Sequence, residues 1–182
     1  THSHADHVHG IDDLRAFCWQ RKDNKPLPIY GDQYTINQIT NRFDYAFENK
    51  YGPAVPSLAA NTINLGNNTI EGIRVKAIKQ MHGKGFTLGY RFDNVAYSTD
   101  VNNFPEESLK QLENLDLWIV DCVRYEPHYS HSHFDQTISW INKLKPKKAI
   151  LTHMGHWLDY NELKNKCPDN VEPGIDGMVI KI

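Results

Sequence analysis

The opening string Thr1-His2-Ser3-His4-Ala5-Asp6-His7 holds three imidazoles and one carboxylate, the donor types that zinc and similar divalent cations take from proteins. Histidines two apart on an extended backbone point to the same side, so His2 and His4 can grip one cation while Asp6 and His7 serve a second. Histidine tags lack such an interleaved aspartate. A catalytic zinc takes about three protein ligands and keeps a position open for water. Two cations therefore need more donors than this string supplies.

The remaining donors are few. After His9 no histidine occurs until His82, and then none until His128. His82 follows the alternating run Ile73-Arg74-Val75-Lys76-Ala77 and precedes Gly83, which places it in a loop just past a strand end. Asp100 closes Val95-Ala96-Tyr97-Ser98-Thr99, where a carboxylate could bridge two cations, and His153 closes Ala149-Ile150-Leu151-Thr152. Asp121, after Leu117-Trp118-Ile119-Val120, competes with Asp100 for the bridge. Donors that each follow a short apolar run are what a sheet delivering side chains to one rim would give.

Hydrolysis also needs a proton for the leaving group, and His128-Tyr129-Ser130-His131-Ser132-His133 offers three donors. Phe134, Ile138, Ile141 and Leu144 fall at helical spacing with Asp135 as the expected N-cap, so His133 is expected beside a helix N-terminus and is the preferred acid, with His131 its competitor. His156 lies one helical turn past His153 if that stretch coils, where it would touch phosphate or back a ligand. His9 and His128 read as solvated or supporting residues.

These residues together resemble those of a metallo-β-lactamase superfamily hydrolase. Thr1 to His7 match its leading motif, His82 its isolated histidine, Asp100 its bridging aspartate and His153 its final histidine. Gly85-Phe86-Thr87-Leu88-Gly89-Tyr90-Arg91-Phe92 with Tyr97-Ser98-Thr99-Asp100, and Ile150-Leu151-Thr152-His153 with Gly174-Ile175-Asp176-Gly177-Met178, are similar to the phosphodiesterase branch. Within it, PhnP-like enzymes that open a phosphoribosyl cyclic phosphate are nearer than tRNA 3′-processing endonucleases. The resemblance implies an α/β fold, the αββα sandwich. The family has a β-rich segment ahead of the leading motif, so the chain reads as an N-terminally incomplete copy.

The same resemblance implies that His2, His4 and His82 hold one metal, Asp6, His7 and His153 the other, and that Asp100 bridges them. His133 and Asp6 become the catalytic residues, and His131 and His156 the substrate contacts. Zinc is the first choice of metal and manganese the second. A metal-bridging hydroxide would attack phosphorus in line. Two divalent cations less Asp6, Asp100 and hydroxide leave about one positive charge, which suits a small, cyclic or nucleotide-like phosphodiester monoanion. A thioester or lactone hydrolase on the same scaffold, or a metal-binding protein without turnover, is the alternative.

Composition sets the outer bounds. The 182 residues, 40% hydrophobic, suffice for one buried core, giving a single metallo-hydrolase domain over residues 1–182. A formal net charge of -2 argues against bulk attraction to nucleic acid, leaving RNA ends within the substrate range. Lys143, Lys145, Lys147 and Lys148 read as a solvated helix end. Cys18, Cys122 and Cys167 are odd in number and far apart, which suits a reducing compartment. No apolar run approaches the roughly 20 residues of a membrane span, no signal peptide is visible, and cytoplasm is the expected location. A homodimer is compatible with all of this.

The elements expected to position the donors are a helix over residues 11–19 with Ile11, Leu14 and Phe17 on one face, a strand at residues 28–31, and a helix capped by Asp32. Residues 49–57 read as a loop and a candidate substrate-side wall. Strands are expected at residues 61–65, 72–79, 87–92 and 95–98, with Gly66-Asn67-Asn68 as a hairpin turn. A helix at residues 106–112 leads to the Leu117 strand, and Pro146 separates the Asp135 helix from the Ala149 strand.

Overall fold

Each of two compact units, Thr1–Asn64 and Leu65–Ile182, carries its own buried apolar cluster in the computed structural model. The described residues are 1–23, 25–48 and 57–182. Residues 49–56, most of the expected substrate-side loop, lie outside them.

In the first unit the opening motif leads into a short helix α1 (Ala5–Val8), a 3-10 turn at His9–Ile11, and helix α2 (Leu14–Gln20). The single helix expected over residues 11–19 is thus broken. Ile11 is buried in the 3-10 turn, whereas Phe17 is 65% exposed, because the 3.6-residue spacing that would align them does not run through the break. Strand β1 (Leu27–Gly31) precedes helix α3 (Gln33–Arg42), helix α4 (Asp44–Phe47) and strand β2 (Leu58–Thr62). Asp32 caps α3 as expected, accepting from the Tyr34 and Thr35 N–H groups at 2.9 and 3.1 Å. Parallel pairing of Leu27 with Leu58 fixes β2 three residues ahead of the strand expected at residues 61–65. Val8, Ile11, Ile36, Ile39, Ala46 and Leu58 form the core.

The second unit is one seven-stranded sheet. Strands β3 (Gly66–Ile70), β4 (Ile73–His82), β5 (Gly85–Phe92) and β6 (Val95–Ser98) pair antiparallel in sequence order. Helix α5 (Glu106–Lys110) leads to β7 (Leu117–Asp121), helix α6 (Phe134–Leu144) to β8 (Lys148–Thr152), and helix α7 (Tyr160–Lys166) to β9 (Val171–Pro173). From β6 onward the pairing is parallel. Gly66-Asn67-Asn68 begins β3 instead of turning the hairpin; the reversal is at Glu71 and Gly72, whose φ angles of 49° and 82° are the left-handed pair that a tight hairpin requires.

Helix α6 is capped by the backbone at His133, and Asp135 sits within its first turn, where its charge favours the helix N-terminus without capping it. Lys145, at φ 51°, closes the helix just before Pro146. Trp118, Val120, Ala149 and Leu151, all fully buried, form the middle of the core. This topology has one chemical consequence. Strands β4, β6, β7 and β8 run in the same direction, so their C-terminal ends, and the residues that follow, meet at one rim, where open α/β sheets present ligand-binding groups.

Candidate metal centre

The rim collects His82 at the end of β4, Asp100 two residues past β6, Asp121 at the end of β7 and His153 directly past β8. Ligand atoms of Asp100, Asp121, His131 and His153 all lie within 4.8 Å of one another. Asp100 and His153 adopt left-handed φ angles of 54° and 59°. That region is uncommon for side chains with a Cβ and is enriched at functional sites; here it turns each residue off its strand. His153 Nε2 is 3.4 Å from Asp100 Oδ1, and its Nδ1 is 3.3 Å from Asp121 Oδ1. His82 Nε2 stands 3.7 Å from Asp100 Oδ2. His131 stacks on His153 with ring centroids 5.1 Å apart and meets the edge of His82 at 4.7 Å.

Buried polar groups fix this arrangement. His82 Nδ1 is 2.7 Å from the Ser130 carbonyl, which can only accept, so the hydrogen resides on Nδ1 and the Nε2 lone pair faces the rim. Thr99 Oγ1 donates to Asp100 Oδ1 at 2.9 Å, and Thr87 Oγ1 donates to the Asp100 carbonyl at 3.0 Å. Gln80, fully buried, donates to Thr87 Oγ1 and to the Thr99 carbonyl. The Ser132 N–H donates to Asp121 Oδ2 at 3.1 Å, and the Ser132 and Thr137 hydroxyls both reach the Asp121 carbonyl. Asp100 is 1% exposed and Asp121 0%. Burial by itself would raise the Asp121 pKa, but hydrogen bonding and charge attraction from His131 and His153 outweigh it and hold the carboxyl below its usual range. Cys122, beside it, is pushed up to about 12 by burial and then by the Asp121 charge, which makes it an inert packing thiol.

Two buried carboxylates and three imidazoles within a few ångströms are a donor set that suits a divalent cation. Positive charge between Asp100 and Asp121 relieves the repulsion of like charges held close in a poorly solvated place.

The opening motif forms its own cluster in the first unit. His2 lies 4.4 Å from His4 and 4.5 Å from His7 between ring centroids, and His7 Nε2 is 3.2 Å from Asp6 Oδ2. Arg42 ties the string down by donating to the Ser3 carbonyl. His2 is buried, whereas His4 and Asp6 are exposed.

His82, Asp100 and His153 thus stand together at the rim, and His2, His4, Asp6 and His7 together in the first unit. His131 and Asp121 belong to the rim cluster. Asp121 closes an apolar run as Asp100 does, which was its signal in the sequence; the supporting Gln80, Thr87, Ser132 and Thr137 gave none, because a polar residue in a strand, loop or helix does not announce its burial. His133 is half-buried at the α6 N-cap, its side chain making no capping bond. The stretch after His153 is not helical, so His156 is not carried back over it; it is exposed, its ring tilted against that of Trp157.

Comparison with known proteins gives the family and the fold. Residues 1–154 match the model of the beta-lactamase superfamily domain. A crystal structure of a diphosphatase from the PhnP family superposes with a TM-score of 0.91 at 28% identity, covering 100% of this chain and 69% of that one. The metallo-β-lactamase fold protein YhfI from Bacillus subtilis gives 0.76 at 19% identity over 100% and 75%, and the short form of human tRNase Z gives 0.73 at 19% over 100% and 77%; both show the shared fold. An octanoyltransferase from Porphyromonas gingivalis is 30% identical over 98% of this chain, which spans only 36% of that protein. The chain belongs to the metallo-β-lactamase superfamily, a metal-dependent hydrolase superfamily, and is PhnP-like. No helix among the described residues is long and apolar enough to cross a membrane.

Proposed function

We propose that this chain is a dinuclear metal-dependent phosphodiesterase acting on a small, cyclic or nucleotide-like phosphodiester, with residues 1–182 as a single metallo-hydrolase domain. In this reading His2, His4 and His82 hold one metal, Asp6, His7 and His153 the other, and Asp100 is shared; zinc is the first choice and manganese the second. The observation that carries it is the buried rim cluster, whose carboxylates and oriented imidazoles are arranged for cations. The likeness to a PhnP-family diphosphatase favours phosphorus over carbon as the centre attacked. Bound divalent cations supply Lewis acidity and acidify water.

The protein's own residues do the rest. Ser130 holds His82 in the tautomer with Nε2 bare. Asp121 faces Nδ1 of both His131 and His153, at 3.5 and 3.3 Å. With Nδ1–H of His131 directed to Asp121, Nε2 is left to exchange a proton with the leaving oxygen, the orienting logic of an acid–base dyad. The geometry therefore favours His131 over His133 as the acid, with His133 as the competitor to be tested beside it.

The octanoyltransferase relative motivates an acyl-ester arm in the test. Metal analysis coupled to a panel of cyclic ribose phosphates, bis(p-nitrophenyl) phosphate, RNA ends, thioesters and lactones should return two equivalents of metal and phosphodiester turnover. His131→Ala should retain metal and lose about 10²- to 10⁴-fold in kcat, and His133→Ala much less. Turnover of acyl substrates alone, or at most one equivalent of metal, would reject the reading; the reverse ranking of the two variants would restore His133 as the acid.

A further inference from the structure

We propose that Arg124, held over the ring of Trp157, binds a second phosphate of the substrate, one removed from the scissile position, and so sets preference among phosphodiesters. The inference rests on the phosphodiesterase reading above.

Arg124 lies three residues past Asp121, and its backbone is fixed from two sides. Its carbonyl accepts from the Phe134 N–H at 2.9 Å, Val123 donates to the Ser132 carbonyl at 3.2 Å, and the Val123 carbonyl accepts from the Gly155 N–H at 2.9 Å. The loops after β7 and β8 are thereby strapped together, which brings Trp157 to Arg124. The guanidinium carbon sits 4.2 Å from the centre of the indole ring.

The other arginines are engaged. Arg15, Arg21 and Arg74 pair with Asp12, Asp23 and Asp93, while Arg42 and Arg91 donate to main-chain carbonyls. Among the described residues Arg124 makes no side-chain hydrogen bond or ion pair, and its Nε is buried without a partner. A guanidinium held over an aromatic face keeps the edge of its planar fork of N–H donors available to meet phosphate oxygens two at a time.

Its position relative to the rim follows from the backbone. Arg124 lies three residues past Asp121 and forms a β-bridge with His133, two residues beyond His131, so it stands next to the rim cluster without being one of its donors. Trp157 is 51% exposed, so the pair is open to a remote anionic group of a substrate arriving from solvent.

Gly155 is what lets the pair form. A Cβ there would come within 2.7 and 2.9 Å of two Trp157 ring carbons and 2.9 Å of the Val123 carbonyl, so any side chain must move the indole or the strap. Gly155→Ala is therefore a way to disturb Arg124 without removing a charge.

The test is a matched pair of substrates, adenosine 2′,3′-cyclic phosphate and the same nucleotide carrying a 5′-phosphate, with metal-loaded wild type, Arg124→Ala, Arg124→Lys and Gly155→Ala. Wild type should favour the 5′-phosphorylated member at least tenfold in kcat/KM. Arg124→Ala and Gly155→Ala should erase that ratio through KM, and Arg124→Lys should recover part of it. A ratio that survives Arg124→Ala, or a wild type with no preference, overturns the proposal. Failure to hydrolyse either nucleotide counts against the phosphodiesterase reading, and Arg124 is then judged by calorimetric binding of inorganic diphosphate. At least tenfold weaker binding to Arg124→Ala than to wild type supports its role; equal or undetectable binding by both overturns it.

Discussion

The opening cluster and the rim cluster use the same chemical vocabulary and are built by opposite means. His2, His4, Asp6 and His7 are neighbours in sequence, held by one extended stretch and one turn of helix, with His4 and Asp6 exposed. His82, Asp100, Asp121, His131 and His153 span more than seventy positions and meet only because four strands run the same way. The first is cheap to form, since few residues must be ordered. The second is embedded in the core, with two carboxylates almost without solvent and a shell of buried hydrogen bonds. Folding stability should depend far more on the rim.

That difference is open to direct attack. Asp121→Ala removes the acceptor of the Ser132 N–H and the carboxylate facing two imidazoles, all of it buried. Losing one partner of a buried charged cluster should cost about 3 to 5 kcal/mol, and metal should bind roughly 10- to 100-fold more weakly. Asp6→Ala, on a 60% exposed side chain, should change stability by no more than about 0.5 kcal/mol, while metal occupancy still falls. Denaturant unfolding and metal titration of both variants decide the matter. Equal stability losses would mean the two clusters are not supported differently.

The same contrast explains what could be read from the chain before its structure. The opening motif was legible because its donors are adjacent. His82, Asp100 and His153 were legible because each ends an apolar run, and parallel strands translate that position into a shared rim. Asp32 could be named as a cap because capping is local. Less could be read where distant contacts decide: β2 takes its place from pairing with β1, and the helix expected across Ile11 to Trp19 is interrupted by a 3-10 turn. The choice between His131 and His133 depends on side-chain direction within one loop, which spacing alone does not encode. Arg124 carried no sequence signal, since its isolation from any carboxylate exists only in three dimensions.

A smaller effect probes the rim's support rather than its ligands. A Cβ at Gly89 would meet Gln80 Oε1 at 2.5 Å and the Tyr97 carbonyl at 3.3 Å. The amide cannot swing aside, because its nitrogen is pinned by Thr87 and Thr99 and the residue is fully buried. Gly89→Ala should therefore cost about 1 to 3 kcal/mol through overpacking, and it should weaken metal binding as well, because Thr87 and Thr99 are the residues that hold Asp100. Loss of stability with unchanged metal affinity would show that the network braces the sheet but not the ligand.

The smallest effect belongs to the first unit, whose polar contacts lie mostly at its surface. Arg21 grips Asp23 through two hydrogen bonds, at 3.0 and 2.7 Å, and the Lys25 N–H adds a third at 3.2 Å. The Arg21 hydrogen bonds, then that from Lys25, lower the Asp23 pKa from 3.8 to about 2. A carboxyl depressed in the folded state stabilises above its unfolded pKa, and that stabilisation disappears as pH falls through the folded one. Asp23→Asn should accordingly be slightly less stable than wild type near neutral pH, with the gap closing between 3.8 and about 2. Parallel denaturation of both proteins across that range measures it. A gap that does not change with pH would show that the charge of Asp23 contributes nothing to the stability of the first unit.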